Sequence, residues 1–363
     1  MKLKYLFVFV ILFGVILTAC SDAHRGDFII IRGERFSTAL TELELSVMGL
    51  TDEEIIPLRY MTNLTYLRLD RSRISDITPL SGLTNLESLY LWNNQISDIT
   101  LLANLTNLTS LSLSANQIND IMPLADLTNL TTLYLDVNQI SDITPLASLT
   151  NLTRLGLPVN QISDITPLAD LTNLTFMNLE RNQISDLTPL AELRNLRSLR
   201  LNNNQISDIT PLADLMNLTF LNLEHNQISD ITPLADLTNL TFLSLSVNQI
   251  SDITTLANIT SLMNLHLDSN QIIDINPLVN LTRLSFLSLA DNQIIDINPL
   301  ANLTNLILLY LADNQIVDIN PLANLPRFTP DTGGKLDLSG NPITDWMPID
   351  HFLNVIGRWP SPF

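Results

Sequence analysis

The sequence has one cysteine, Cys20, so no intrachain disulfide is possible. It has four histidines, and none of them stands in the spacing of a metal site or a nucleophilic triad: His24, His225, His266 and His351. The G-x-S-x-G, H-E-x-x-H and phosphate-binding glycine motifs are also missing from the sequence. We therefore expect no catalysis, no cofactor and no metal site.

Basic residues are scarce. The chain has 18 Lys and Arg against 37 Asp and Glu, a formal net charge of −19. Nucleic-acid binding needs a basic surface that displaces counterions, so this composition argues against DNA and RNA as partners. Hydrophobic residues make up 46% of the chain, which is enough to bury a core and is not typical of a disordered protein.

Long apolar runs are missing after the first twenty residues. The one such run covers residues 5–18, follows Lys2 and Lys4, and is too short to span a bilayer comfortably. A basic start followed by a short apolar segment is typical of a signal peptide. We predict that residues 1–19 are such a peptide.

The apolar run ends in the letters LTAC at residues 17–20, which resemble the lipobox of bacterial lipoproteins. This resemblance implies cleavage before Cys20 and a diacylglyceryl group on its thiol. The expected location is then the cell membrane, with the protein lipid-anchored and exposed on the extracytoplasmic side. The alternative is an ordinary signal peptide with a coincidental cysteine.

One repeated segment dominates the rest of the chain. The letters NQISDITPLADLTNL stand at residues 160–174 and again at 226–240. With Leu86 as position 1, each unit reads L-x-x-L-x-L-x-x-N, and twelve contiguous units fit residues 63–325. Position 9 is an asparagine every 22 residues: Asn94, Asn116, Asn138, Asn160, Asn182, Asn204, Asn226, Asn248, Asn270, Asn292 and Asn314.

This spacing is the leucine-rich-repeat signature, and it predicts an α/β solenoid shaped as a horseshoe. Because strand side chains alternate between faces, positions 4 and 6 point inward and positions 3, 5 and 7 point outward. Stacked strands form a parallel β-sheet on the concave face, and the position 9 amides form a structural ladder. The Thr-Pro pair, with threonine as N-cap, predicts a short 3₁₀ turn on the convex face.

Both ends of the array need caps. We predict an N-terminal cap over residues 20–62, with strands in 27–31 and 41–45. A C-terminal repeat and cap are predicted over residues 326–363. The apolar spacing between residues 349 and 356 predicts an amphipathic helix in this C-terminal cap.

The repeat closely resembles that of the bacterial internalin-type family, over roughly residues 40–345. This resemblance implies protein–protein binding, often to host receptors. No immunoglobulin-like domain or cell-wall sorting signal is recognisable after the array, and we expect the lipid to serve as the anchor instead.

The units nearly coincide from position 9 to position 22, and they differ at positions 3, 5, 7 and 8 on the concave face. Aromatic and arginine side chains dominate binding hot spots. The candidate ligand-binding residues are Tyr66, Arg68, Tyr90, Trp92, Tyr134, Arg154, Phe176, Arg181, Arg200, Phe220, His225, Phe242, His266, Phe286 and Tyr310. For the position 3 phenylalanines, the alternative is that their rings cover the rim of the core.

An aspartate occupies position 13 of all twelve units, from Asp76 to Asp318. A row of carboxylates raises the hypothesis of calcium binding, but the spacing matches no known calcium loop. We favour the alternative that each aspartate accepts backbone N–H bonds at the turn.

Twelve strands give a concave face about 50 Å long and about 800 Å² in area, which one partner buries in a standard protein interface. We therefore predict a monomeric, non-enzymatic module on the bacterial cell surface that binds a macromolecule, with the membrane contacted only through the lipid anchor. The alternatives are a binder of the cell's own envelope glycan or envelope protein, and an enzyme with a site in the C-terminal cap.

Overall fold

The computed structural model describes residues 26–328, 333–352 and 355–357. The predicted signal peptide and Cys20 lie outside the described residues. Strands β3 to β17 form one parallel sheet of 15 strands in chain order, while β1 and β2 form a separate antiparallel hairpin. The predicted leucine-rich-repeat horseshoe is therefore confirmed.

The strands are β1 (Phe28–Ile31), β2 (Glu34–Ser37), β3 (Glu42–Glu44), β4 (Tyr66–Arg68), β5 (Ser88–Tyr90), β6 (Ser110–Ser112), β7 (Thr132–Tyr134), β8 (Arg154–Gly156), β9 (Phe176–Asn178), β10 (Ser198–Arg200), β11 (Phe220–Asn222), β12 (Phe242–Ser244), β13 (Asn264–His266), β14 (Phe286–Ser288), β15 (Leu308–Tyr310), β16 (Lys335–Asp337) and β17 (Val355–Ile356). Equivalent positions pair directly, so that Leu199 stands opposite Leu221. The register keeps each repeat position in one row along the sheet.

The one α-helix, α1, covers Asp52–Ile55, and the remaining helices of the described residues are single 3₁₀ turns. These turns are Ile56–Tyr60, Thr78–Leu80, Thr100–Asn104, Met122–Leu124, Thr144–Ser148, Thr166–Leu168, Thr188–Leu190, Thr210–Leu212, Thr232–Leu234, Thr254–Asn258, Asn276–Leu278, Asn298–Leu300, Asn320–Leu322 and Met347–Ile349. Each repeat therefore has a strand on one side and a short turn on the other.

The apolar positions of the repeat form one continuous core. Leu89 and Leu91, at positions 4 and 6, are both fully buried, as are the equivalent leucines of every other complete unit, or Met177 in one of them. Ile96 and Ile99, at positions 11 and 14, complete the opposite wall. A single unit cannot bury these groups alone, so burial depends on stacking.

The turn is capped differently from the sequence prediction. Thr166 is the first residue of its 3₁₀ turn rather than the N-cap, and the N-cap, Ile165, has no side-chain bond. The capping oxygen belongs to Asp164, whose Oδ1 accepts the Thr166 N–H at 2.8 Å. Asp164 is at position 13, and hydrogen bonding lowers the pKa of its carboxyl group below the usual value. The position 13 aspartates therefore accept backbone N–H bonds at the turns, which is the alternative that we favour over calcium binding.

The position 9 asparagines bridge adjacent units. Asn182 Oδ1 accepts the backbone N–H of Ile162 at 3.0 Å. Its Nδ2 donates to the carbonyl of Leu157 at 3.0 Å and to that of Leu179 at 3.1 Å. The residue is 9% exposed, so these backbone groups have little access to water. The same bonds recur at each of the eleven asparagines, for example at Asn314.

A second asparagine ladder, which the sequence analysis did not predict, lies at position 22. Asn195 Nδ2 donates to the carbonyl of Thr172 at 2.9 Å, and Asn107 does the same to Thr84. These side chains are exposed. The asparagine that ends the repeat unit therefore also links neighbouring units.

A charged pair holds the parts of the N-terminal cap together. Arg32 Nε donates to Glu54 Oε1 at 2.7 Å, and Glu54 also accepts the backbone N–H of Thr51 at 2.9 Å. Glu54 thus joins hairpin β1–β2 to helix α1. The Arg32 guanidinium lowers the pKa of the Glu54 carboxyl group.

The prediction of an amphipathic helix over residues 349–356 is wrong. The structure has a 3₁₀ turn at Met347–Ile349 and then strand β17, which pairs in parallel with β16. Phe352 is fully buried and packs on Phe328, with a ring-centroid distance of 5.8 Å. The chain here repeats the turn-then-strand path of the array, because the exposed edge of β16 needs hydrogen-bond partners that a helix cannot supply.

Position 8 adopts left-handed backbone geometry in every complete unit, and the incomplete last repeat has Gly340 there. Val137 has φ of 54° although a β-branched residue is strained in this region. We expect Val137→Gly to raise the free energy of unfolding by about 0.5–1 kcal/mol, because relief of strain exceeds the entropy cost of glycine. Urea denaturation measures the change.

The matched control for this prediction is Val317→Gly. Val317 is about as exposed as Val137, at 52% against 49%, but it lacks the left-handed geometry. We expect the control to lower stability. Equal losses in the two variants would contradict the strain argument.

Candidate functional site

Five rings stand side by side on the C-terminal half of the concave face, one on each strand from β11 to β15. We call this set the aromatic ladder: Phe220, Phe242, His266, Phe286 and Tyr310. Successive ring centroids are 4.2, 5.3, 4.2 and 5.6 Å apart. Phe220 and Phe242 both occupy position 3 and pair directly. The other contacts are diagonal, because rings at position 3 of one strand lean toward rings at position 5 of its neighbour.

A cation stands at each end of the aromatic ladder. The Arg200 guanidinium lies 5.0 Å from the Phe220 ring centroid, and the Lys335 ammonium lies 5.2 Å from that of Tyr310. Two of the four ring contacts are stacked and two are tilted, so neighbouring rings and these cations occupy much of the space over the ring faces. The ring edges, which carry partial positive charge, are the parts available to a ligand.

His266 stacks on Phe286 and lies at a tilt beside Phe242, and burial lowers the pKa of its imidazole. The unfolded chain then binds a proton more readily than the folded chain, so stability falls as the pH drops through the unfolded pKa of about 6.5. We expect His266→Phe to lose less stability than the parent between about pH 7.5 and about pH 5.5. Thermal unfolding at the two pH values measures this difference.

The control for this prediction is His225→Phe, which replaces an exposed histidine on the same face. This variant should lose as much stability as the parent over the same pH range. A loss in His266→Phe equal to that of the parent would mean that His266 does not contribute to the pH dependence.

A second cluster covers the N-terminal half of the concave face. The rings of Tyr66 and Tyr90 are 5.5 Å apart, and the Arg68 guanidinium lies 5.6 Å from the Tyr90 centroid. The Arg71 guanidinium lies 4.6 Å from the Trp92 ring. As in the aromatic ladder, cations cover the ring faces.

A shallow cavity of about 310 Å³ lies within this cluster. It is lined by Arg68, Asp70, Tyr90, Trp92, Ser112, Ser114, Tyr134 and Asp136. Asp70 is 3% exposed and is neutralised by Arg68, and its Oδ1 also accepts the backbone N–H of Trp92 at 2.7 Å. Asp136 accepts the Ser114 hydroxyl at 2.9 Å, and burial raises the pKa of the Asp136 carboxyl group.

Gly156 makes room for Tyr134 at the centre of the face. A Cβ at Gly156 would stand 2.7 Å from the Tyr134 ring and 2.6 Å from Asp136 Oδ1. Arg154 Nε donates to the Tyr134 hydroxyl at 3.0 Å, and its guanidinium lies 4.7 Å from the Phe176 ring. These contacts join the N-terminal cluster to Phe176.

Three of the remaining candidates, Phe176, Arg181 and His225, lie outside the aromatic ladder. Phe176 does not reach Phe220, because Ser198 occupies position 3 of the strand between them, β10. Arg181 and His225 are exposed at position 8 and pair only weakly, each about 3.6 Å from its neighbouring glutamate. These two side chains thus lie beside the ring clusters and not in them.

Several contributors to the face were not among the sequence candidates, and three of them illustrate the reasons. Lys335 follows a five-residue slip in the repeat register, and its pairing with Leu308 is visible only in the sheet. Gly156 and Ser112 have no notable side chain, and their importance comes from the rings beside them. The sequence signal for such residues is a small side chain at position 3 or 5 in one unit and a large side chain at those positions in the adjacent unit.

Four buried side-chain polar atoms of the described residues have no hydrogen-bond partner. Three of them lie on the concave face where the aromatic ladder begins: Arg200 Nε, Asn202 Oδ1 and Ser244 Oγ. Buried polar groups are normally paired, so these three atoms mark a place on the face where the chain itself supplies no hydrogen-bond partner.

Two kinds of feature are absent from the described residues. Within them, no group of three His, Cys, Asp or Glu side chains is placed to hold a metal ion. Within them, no helix has the length and hydrophobicity needed to cross a membrane.

The family described as "Leucine Rich repeats (2 copies)" matches seven overlapping spans between residues 84 and 258, and residues 282–324. A comparison with curated proteins gives no match. The internalin InlF of Listeria monocytogenes is 38% identical, with a TM-score of 0.78, over 86% of this chain and 91% of that structure.

Two more solved structures have the same fold. A leucine-rich-repeat protein of Leptospira interrogans is 27% identical, with a TM-score of 0.76, over 84% of this chain and 79% of that one. The plant peptide hormone receptor RGFR1, solved in complex with RGF2, is 22% identical, with a TM-score of 0.71, over 85% of this chain and 53% of that one. Leucine-rich-repeat proteins such as internalins act in protein–protein interaction. The chain belongs to the leucine-rich-repeat family and within it is structurally similar to the Listeria internalins.

Proposed function

We propose that the protein is a non-enzymatic module that binds another protein through its concave face. The observation that carries this proposal is the concentration of rings, arginines and unpartnered buried polar atoms on that face. Rings and arginines are the side chains that dominate protein-binding hot spots. The internalin-like homologues are themselves binding modules.

The arrangement of the rings favours a protein over a glycan. A sugar stacks on the open face of an aromatic ring, but Phe242 and His266 each have one face stacked on a neighbouring ring and a tilted ring 5.3 Å away on the other side. The Arg71 guanidinium lies over Trp92 in the same way. Ring edges and cations suit the carbonyls, carboxylates and apolar side chains of a polypeptide.

We also propose that the module is displayed on the bacterial cell surface by a lipid on Cys20. The apolar run and the LTAC sequence at residues 17–20 support this location. Metabolic labelling with a palmitate analogue tests it, because Cys20→Ser should abolish the label.

Capture from cell extracts tests the binding proposal. Residues 21–363 serve as bait against two extracts, one of the cell's own envelope and one of the surfaces of host or neighbouring cells. The test bait carries Tyr90→Ser, Trp92→Ser and Tyr134→Ser, which removes three rings of the N-terminal cluster. We expect the partner protein to be captured at least about tenfold less by the test bait, because hot-spot rings are lost.

The control bait carries Tyr60→Ser, which removes an exposed ring outside the concave face. Circular dichroism establishes that all baits are folded. Equal capture by the three baits would exclude the N-terminal cluster as the anchor. Capture of a glycan in place of a protein would contradict the proposed ligand class.

A further inference from the structure

A second exposed surface lies outside the concave face, at position 12 of the last three complete units. Ile273, Ile295 and Val317 occupy this position and are 59%, 57% and 52% exposed. We call them the apolar row. The other nine units have serine at position 12, or Asn119 in one case.

The scaffold does not need these aliphatic side chains. The neighbouring backbone bond is the same with either residue: Ile272 N–H reaches Asn292 at 3.0 Å, and Ile162 N–H reaches Asn182 at 3.0 Å in a serine unit. In the described residues, no other three exposed large aliphatic side chains share one position in consecutive units. The apolar row is thus a local change to a surface that is polar elsewhere in the array.

The apolar row alone is too small for a stable interface. It exposes on the order of 300 Å² of apolar surface to solvent, which is the size of surface patches that are often functional in soluble proteins. A standard interface covers about 800 Å² on each partner, so an occupant must also cover the neighbouring rows. Those rows are the position 13 aspartates and the position 10 glutamines.

The charge around the apolar row decides what kind of occupant fits. Asp274, Asp296 and Asp318 follow its members directly and are exposed, and we call them the aspartate row. Residues 262–325 contain six aspartates and a single basic residue, Arg283. A second copy of this chain, which carries the same excess of acid, would be repelled.

We propose that the apolar row and the aspartate row together form a docking surface for a partner protein that presents an apolar ridge flanked by lysine or arginine. The apolar ridge would cover the three aliphatic side chains, while its basic flank would meet the carboxylates. Such complementary charges set the orientation and specificity of an interface. This surface is separate from the proposed concave binding face.

Two synthetic helical peptides of about 18 residues, long enough to cover three units, test the proposal. They share one leucine ridge, flanked by lysine in one peptide and by glutamate in the other. Fluorescence anisotropy measures their binding to the chain that starts at residue 21. We expect the lysine peptide to bind at least about tenfold more tightly than the glutamate peptide, because only its charges complement the aspartate row.

Two variants separate the contributions of the rows. Ile273→Ser, Ile295→Ser and Val317→Ser together restore the residue of the other units, so the fold is expected to be retained. This variant should bind the lysine peptide at least about tenfold more weakly. Asp274→Asn, Asp296→Asn and Asp318→Asn keep the capping oxygen, and they should remove the preference for lysine over glutamate.

Matched controls make the test specific. Met122→Ser, Met216→Ser and Val279→Ser together remove three exposed apolar side chains outside the row and should leave peptide binding unchanged. The concave-face variant used in the capture experiment should also bind the peptide normally, so the two proposals fail independently.

Three outcomes would overturn the docking surface. The first is equal binding of the two peptides, or no binding of either. The second is equal loss in the serine variant and in the methionine–valine control. The third is self-association of the parent in sedimentation that the serine variant abolishes, since the occupant would then be a second copy.

Discussion

Asn182→Ala is expected to lower the free energy of unfolding by about 3–5 kcal/mol, because it leaves several buried backbone groups without partners. The Ile162 N–H loses its acceptor, and the Leu157 and Leu179 carbonyls lose a shared donor. All three groups lie between two stacked units, where water has little access. Chemical denaturation followed by circular dichroism measures the loss.

Asn195→Ala is the matched control for this prediction. Asn195 belongs to the same unit and makes one bond, to the Thr172 carbonyl, but it is exposed. Water can replace that bond, so we expect a loss of about 1 kcal/mol or less. Similar losses in the two variants would mean that the position 9 ladder is not a main source of stability.

Phe352→Ala is expected to cost about 3–5 kcal/mol, since it empties a fully buried aromatic site at the end of the core. The loss should be local, because each unit of a solenoid contacts only its neighbours. We expect the amides of β16 to lose protection from hydrogen exchange while those of β9 keep theirs. Hydrogen exchange measured by mass spectrometry distinguishes the two regions.

The control for the C-terminal cap is His351→Ala. His351 is exposed, and its ring meets the Phe352 ring in an edge-type contact at a centroid distance of 4.4 Å. Protection of β16 should be retained in this variant. Uniform loss of protection over the whole array in Phe352→Ala would contradict the view that Phe352 acts as a local cap.

For the aromatic ladder, the sequence predicted the face on which the rings lie but not which rings are in contact. Its members were all selected as concave residues, because positions 3 and 5 alternate with the buried leucines. The sequence suggested a row of phenylalanines at position 3, whereas the structure continues the row through His266 and Tyr310 at position 5. Which rings touch depends on how the side chains of adjacent strands lean together, and a single unit carries no information about that.

The two asparagine ladders also differ in how far the sequence could predict them. The position 9 amide was predicted to serve the turn, because a buried turn leaves backbone groups unpaired. The position 22 amide was not predicted, since Asn195 is exposed and its acceptor lies 23 residues earlier, in the preceding unit. Only stacking brings the donor and the acceptor together.

The helix predicted in the C-terminal cap was wrong for a related reason. The spacing of Ile349, Phe352 and Ile356 fits a helix, but it also fits a turn followed by a strand. The open edge of β16 decided between the two, because its backbone groups gain partners only from another strand.

The repeat period, the buried leucines and the position 9 asparagines determined by themselves that this chain is a leucine-rich-repeat solenoid. They could do so because each unit must bury the same apolar positions against its neighbours. The tertiary structure alone decided which rings and cations meet, where buried polar atoms lack partners, and how the array ends. Those features depend on contacts between units, and a pattern that is local to one unit does not record such contacts.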